Sequence, residues 1–104
     1  SIVLRDRKHL GEDGIIVAVC TIEGDTGHVA AGPDIVSRGF VYVRESEALM
    51  DDARKVVYYT LEDCAKHRVR DWSALKQNVK DELSRFLYRK TQRSPMVLPI
   101  IMEV

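Results

Sequence analysis

Histidine and cysteine are scarce in this chain of 104 residues, which has three of the first and two of the second. His9, His28 and His67 lie far apart, in a charged leader, at a turn edge and at a helix end. None has a second histidine or a cysteine at ligand spacing, so they read as solvated imidazoles rather than metal ligands. Cys20 and Cys64 form no CxxC motif. Cys20 falls in an apolar strand and Cys64 on the apolar face of a helix, which reads as two reduced, buried thiols of a cytoplasmic protein. Excess charge of one sign is also missing: 16 Lys and Arg balance 16 Asp and Glu. A protein that works mainly as a polycationic clamp on nucleic acid needs surplus Lys and Arg, so that class is disfavoured. No apolar run approaches the ~20 residues of a membrane span. No signal peptide is visible, and the abrupt start at Ser1 fits a domain excised from a longer protein. Internal repeats and low-complexity segments are absent.

Catalytic constellations are missing as well. Ser37 has no nucleophile-elbow glycines around it and no histidine placed as a base. The pairs Asp51-Asp52 and Asp81-Glu82 sit on helices, where adjacent side chains diverge, and they read as solvated surface. Gly24 to Gly27 is too short and too acidic to cradle a phosphate.

What the chain does have is enough apolar residue, 45% of the total, for one domain with a stable core. Residues 1–13 mix charge with a few apolar anchors and read as a linker entering a domain that spans 14–104. Ile15 to Ile22 is a β-branched run that is apolar on both faces, so it predicts a central strand covered on both sides. Gly24-Asp25-Thr26-Gly27 predicts a hairpin turn, and the chain then returns antiparallel. The next stretch organises the fold: Gly32-Pro33 must bulge or lie at an edge, Gly39 punctuates the strand, and an extended segment leads to Ser46.

Ser46 predicts a helix N-cap, with Glu47, Asp51 and Asp52 near the positive end of the dipole. The stripe Leu49, Ala53, Val56, Val57, Thr60, Leu61 and Cys64 holds one helical face for over four turns. Lys66 to Arg70 closes it with cations. Asp71 or Ser73 caps a second helix, whose stripe is Trp72, Leu75, Val79, Leu83, Phe86 and Leu87. Met96 to Val104 is the last strand, and Pro99 argues for an edge position. The fold class is α+β, in the order ββααβ: a three-stranded sheet with two antiparallel helices on one face, and the third strand beside the first and parallel to it.

Two helices cover only one face of such a sheet, and both faces look apolar. Monomers seldom expose apolar patches larger than a few hundred Å², so the second face is expected to be covered by a second copy or by the missing catalytic domains of a longer parent protein. Its candidate residues are Ile15, Val17, Val19, Arg38, Tyr42, Val97 and Ile101. Arg38 stands in an apolar strand and needs a partner, at an interface, within the domain or on RNA. Tyr58 and Tyr59 are adjacent, so at least one leaves the apolar stripe. Arg85, Arg89, Lys90 and Arg93, with Tyr88 among them, form the best RNA-facing candidate; the alternative is that they complement the helix C-terminus.

The run GPDIVSRGFVYVRES, then Asp71-Trp72-Ser73, and the ending RSPMVLPIIMEV together resemble the C-terminal domain of ribonuclease J. Val3-Leu4-Arg5-Asp6-Arg7 ahead of Leu10-Gly11-Glu12-Asp13-Gly14 fits the segment that enters it. The resemblance covers nearly the whole chain. It implies a non-catalytic appendage that supports subunit assembly, as a homodimer or with a paralogue, in a cytoplasmic enzyme with 5′-to-3′ exonuclease and endonuclease activity on RNA. The metallo-β-lactamase and β-CASP parts of that parent would hold two zinc ions and contact RNA. A module that guides RNA to that core is the alternative role.

Overall fold

The computed structural model describes residues 13–40 and 46–104. Strands β1 (Ile15–Ile22) and β2 (Val29–Arg38) are followed by helices α1 (Ser46–Lys66) and α2 (Trp72–Thr91) and by strand β3 (Met96–Glu103). The sheet order is β2-β1-β3, with β1 antiparallel to β2 and parallel to β3. This is the expected ββααβ arrangement, with the β-branched run in the middle.

Side chains alternate across β1. Ile16, Ala18, Cys20 and Ile22 are buried against the helices. Ile15, Val17, Val19 and Thr21 are only half-buried. The sequence implied cover on both sides of β1, but both helices pack on the same side, so the described residues bury one face. α1 lies over β2 and α2 over β3, and the helices pack on each other. The core between the layers comes from Leu49, Ala53, Val57, Leu61 and Cys64 of α1 and from Leu75, Val79, Leu83, Phe86 and Leu87 of α2. Trp72, assigned to that stripe by its spacing, is 40% exposed. It is the first helical residue and lies beyond the packed part of the stripe.

The elements end for identifiable reasons. Asp71 caps α2 by accepting the Ala74 N–H at 3.0 Å, which decides between the two capping candidates. α1 closes with Arg68 in the left-handed region at φ 59°. The Arg68 N–H donates to the Ala65 carbonyl and the Val69 N–H to the Cys64 carbonyl, the paired bonds of a Schellman ending. Ser46 is the first residue of α1; the extended segment before it and Tyr42 lie outside the described residues.

β2 is both an edge strand and a bulged one. Val19 pairs with Asp34, but Thr21 pairs with Ala31 and Ile22 with Val29. Two extra residues therefore enter β2, one at Gly32-Pro33 and one at Ala30; Gly32 has φ +85° and the Gly32–Pro33 bond is cis. Pro99 lies on the other edge. The Met96 and Val104 N–H groups point towards β1. By the two-residue period Pro99 points outward, where its missing N–H costs no ladder bond. Gly14 opens β1 at φ +81°, pressed against the backbone of Arg38, Gly39 and Phe40.

Candidate protein interface

Residues opposite one another on neighbouring strands share a face, so the register maps the uncovered side. Three consecutive rows run across it: Arg38, Ile15 and Met96; then Val36, Val17 and Leu98; then Asp34, Val19 and Ile100. A fourth, Ala31, Thr21 and Met102, follows beyond the bulge. The outer strands are the most accessible: Val36 is 51% exposed, Leu98 42%, Ile100 45% and Met102 48%. Charge on the three rows is confined to Asp34 and Arg38, both exposed and both on β2. Among the described residues neither joins an ion pair.

Of the predicted interface residues, Ile15, Val17, Val19 and Arg38 lie on this face. Val97 and Ile101 do not. The parallel register sets Val97 beside Ile16 and Ile101 beside Cys20, both on the helix side. Val97 is accordingly 1% exposed, and Ile101 packs on the core. Their places on the open face belong to Leu98 and Ile100, with Val36 from β2. Period two divides β3 into two apolar sets, and only the pairing with β1 says which set faces the helices.

The basic cluster is on the opposite side of the molecule, at the C-terminal end of α2. Arg85 pairs with Glu82 at 2.6 Å, and Arg93 lies 3.8 Å from Asp13. Arg89 and Lys90 occupy the last turn, near the negative end of the helix dipole. Tyr88 is 52% exposed, one turn from Arg85. Asp13 also accepts the Ser94 N–H at 2.7 Å, so it holds the α2–β3 loop against the start of β1.

A polar groove of about 830 Å³ runs past α1 and is lined by His28, Tyr59, Glu62, Asp63, Lys66 and Glu82, among others. Glu62 is its best-placed group. One carboxylate oxygen accepts the Val29 N–H at 2.7 Å, and the other lies 2.7 Å from His28 Nδ1. The Val29 hydrogen bond, then the bond and charge of His28, hold the Glu62 carboxyl below its usual range. Glu62 thereby ties α1 to the start of β2. Arg70 does the same for the hairpin, donating to the carbonyls of Gly24 and Asp25. His67, one residue past the end of α1, leans on Asp63 of that helix. Cys20 and Cys64 are free thiols. Burial pushes the Cys20 thiol up to about 11 and raises Cys64 as well. Among the described residues no group of three or more His, Cys, Asp or Glu could hold a metal, and no helix is long and apolar enough to cross a membrane.

A three-stranded sheet with an apolar open side, backed by two helices, is what this chain presents. The family model described as the ribonuclease J C-terminal domain matches residues 2–104. The chain belongs to the ribonuclease J family. Ribonuclease J2 of Bacillus subtilis is 48% identical over all 104 residues, and the matched region is 19% of that protein. Ribonuclease J 2 of Staphylococcus epidermidis and that of Staphylococcus aureus are each 47% identical over the same span, again 19% of their length. The chain thus spans about a fifth of the curated relatives it matches. The C-terminal domain of ribonuclease J and this chain agree from end to end, as the motif resemblance implied.

Proposed function

We propose that this domain is a non-catalytic assembly module of a longer ribonuclease J-type enzyme. The parent would be a cytoplasmic nuclease with 5′-to-3′ exonuclease and endonuclease activity on RNA, and its own catalytic domains would carry two zinc ions. The module pairs subunits, identical or paralogous, and holds their catalytic cores in a working arrangement. One observation carries this reading: Val36, Leu98, Ile100 and Met102 stand exposed around a half-buried β1, on a sheet side that no described residue covers. Apolar area of that kind is stabilised by removal from water, at roughly 25 cal/mol per Å².

Sedimentation of the 104-residue chain over a range of concentrations tests it. Self-association is expected to rise with concentration and to disappear in the Leu98→Asp/Ile100→Asp variant. A chain that stays monomeric at high micromolar concentration refutes the self-pairing reading. The exposure of Tyr88 beside Arg85 favours a second reading, a guide for single-stranded RNA. It requires salt-dependent RNA binding that is lost in Arg85→Ala/Arg89→Ala. The existing ion pairs of Arg85 and Arg93 count against it.

A further inference from the structure

The open face carries a charge pattern that matches itself under one operation. Asp34 and Arg38 flank Val36, two residues to either side on the same face of β2. They are about 13 Å apart along the strand. Val36 lies in the row with Val17 and Leu98, which is apolar throughout.

We infer that the partner of this face is a second copy of the same chain, stacked sheet to sheet about a two-fold axis that runs along the row Val36, Val17, Leu98. The inference rests on the assembly reading above and adds the partner and the register. An axis across the strands reverses their direction, so β2 lies over β2 of the second copy. Val36 then meets its own counterpart, Arg38 of each copy meets Asp34 of the other, and Ile15 and Met96 meet Val19 and Ile100. A rotation of about 30° between aligned sheets displaces each charged pair by about 4 Å, within reach of an arginine side chain.

The competing registers fail on charge. An axis one row away sets Asp34 on Asp34, or Arg38 on Arg38. An axis along the strands lays β2 over β3 and puts Arg38 on Met96 and Asp34 on Ile100, so both charges lose water and gain no partner. A two-fold contact must be self-complementary, residue i on j and j on i. Among registers on these rows, only the one centred on Val36 satisfies that for both charges. Because β2 is an edge strand, the two pairs lie at the rim of the contact. There they select register and partner more than they add affinity.

Charge reversal tests this on exposed positions. Asp34→Arg alone places like cations together twice in the dimer, and Arg38→Asp alone does the same with anions. Each single variant is expected to self-associate about tenfold more weakly, or worse, than the unsubstituted chain. The double variant Asp34→Arg/Arg38→Asp restores the pairs and is expected to recover, which also controls for folding. Mixing the two single variants gives the decisive reading. One carries two cations and the other two anions, so together they are expected to form a mixed dimer tighter than either forms alone. If the unsubstituted chain dimerises and Leu98→Asp/Ile100→Asp abolishes this, but the mixture gains nothing, the register is wrong while the assembly reading stands. If the unsubstituted chain does not dimerise, both fall.

Discussion

Glu62→Ala removes a side chain that joins α1 to His28 and to Val29 at the start of β2. The bond from the Val29 N–H to a carboxylate oxygen is short, at 2.7 Å. Hydrogen bonds to charged groups contribute about 1.5–3 kcal/mol, and the Glu62 side chain is 25% exposed, so the lower end applies. The His28 contact is half exposed and adds a few tenths of a kcal/mol at most. Glu62→Ala is therefore expected to destabilise the domain by about 2 kcal/mol near neutral pH. Glu62→Gln keeps an acceptor for Val29 but not the charge, and should cost about 1 kcal/mol.

The pH dependence is the sharper part. The folded-state pKa of Glu62 lies below the 4.5 that is ordinary for a glutamate carboxyl. Fewer protons are then bound in the folded state, so the stabilisation is complete above that value and is lost as pH falls through the folded-state pKa. The gap between Glu62→Ala and the unsubstituted chain should be constant from pH 7 to pH 5 and narrow below 4.5. Urea denaturation at each pH, at low protein concentration to limit self-association, measures it. A gap below about 0.5 kcal/mol at pH 7, or one unchanged on acidification, refutes the assignment.

Two further outcomes follow from positions with no freedom. A Cβ at Gly14 would overlap the Arg38 carbonyl oxygen and the Gly39 carbonyl carbon, at φ +81°; Gly14→Ala is expected to cost about 3 kcal/mol or more in the same assay. The Cys20 thiol, pushed up to about 11, and the raised Cys64 thiol leave little thiolate at pH 8. Iodoacetamide should label both slowly in the native chain and rapidly in denaturant, and native labelling at the rate of a free thiol would contradict their burial.

Local chemistry made much of this fold readable. The β-branched run marked β1 as central, the apolar stripes marked both helices, and Asp71 and Pro99 marked a cap and an edge. What stayed hidden depended on pairing between distant segments. Both apolar sets of β3 satisfy period two, and only the parallel register with β1 assigns Val97 and Ile101 to the core and Leu98 and Ile100 to the open side. Glu62 sits on the polar face of α1, and nothing local says that it reaches the hairpin 33 residues earlier. Arg68 occupies the left-handed closing position that glycine usually fills. The charge pattern on the open face was half visible, since Arg38 stood out within an apolar strand. Its relation to Asp34 mattered only once the pairing with β1 showed that the side of β2 they share is the one away from the helices.

The two prolines bear on how such a sheet can meet another protein. An open three-stranded sheet could grow at either edge by adding a strand, or be covered on its face. At the β3 edge Pro99 turns its nitrogen outward, so an added strand would find a carbonyl there but no donor in the middle of the ladder. At the β2 edge the extra residues at Ala30 and at Gly32-Pro33 break the spacing that a straight partner strand needs. Both edges are blunted, while the face between them carries apolar residues from all three strands. Under the proposed assembly role, two obstructed edges leave the apolar face as the contact, and there the side chains, not the backbone, decide which partner fits. That is why charge reversal at Asp34 and Arg38, rather than proline replacement at the edges, is the substitution expected to change partner choice.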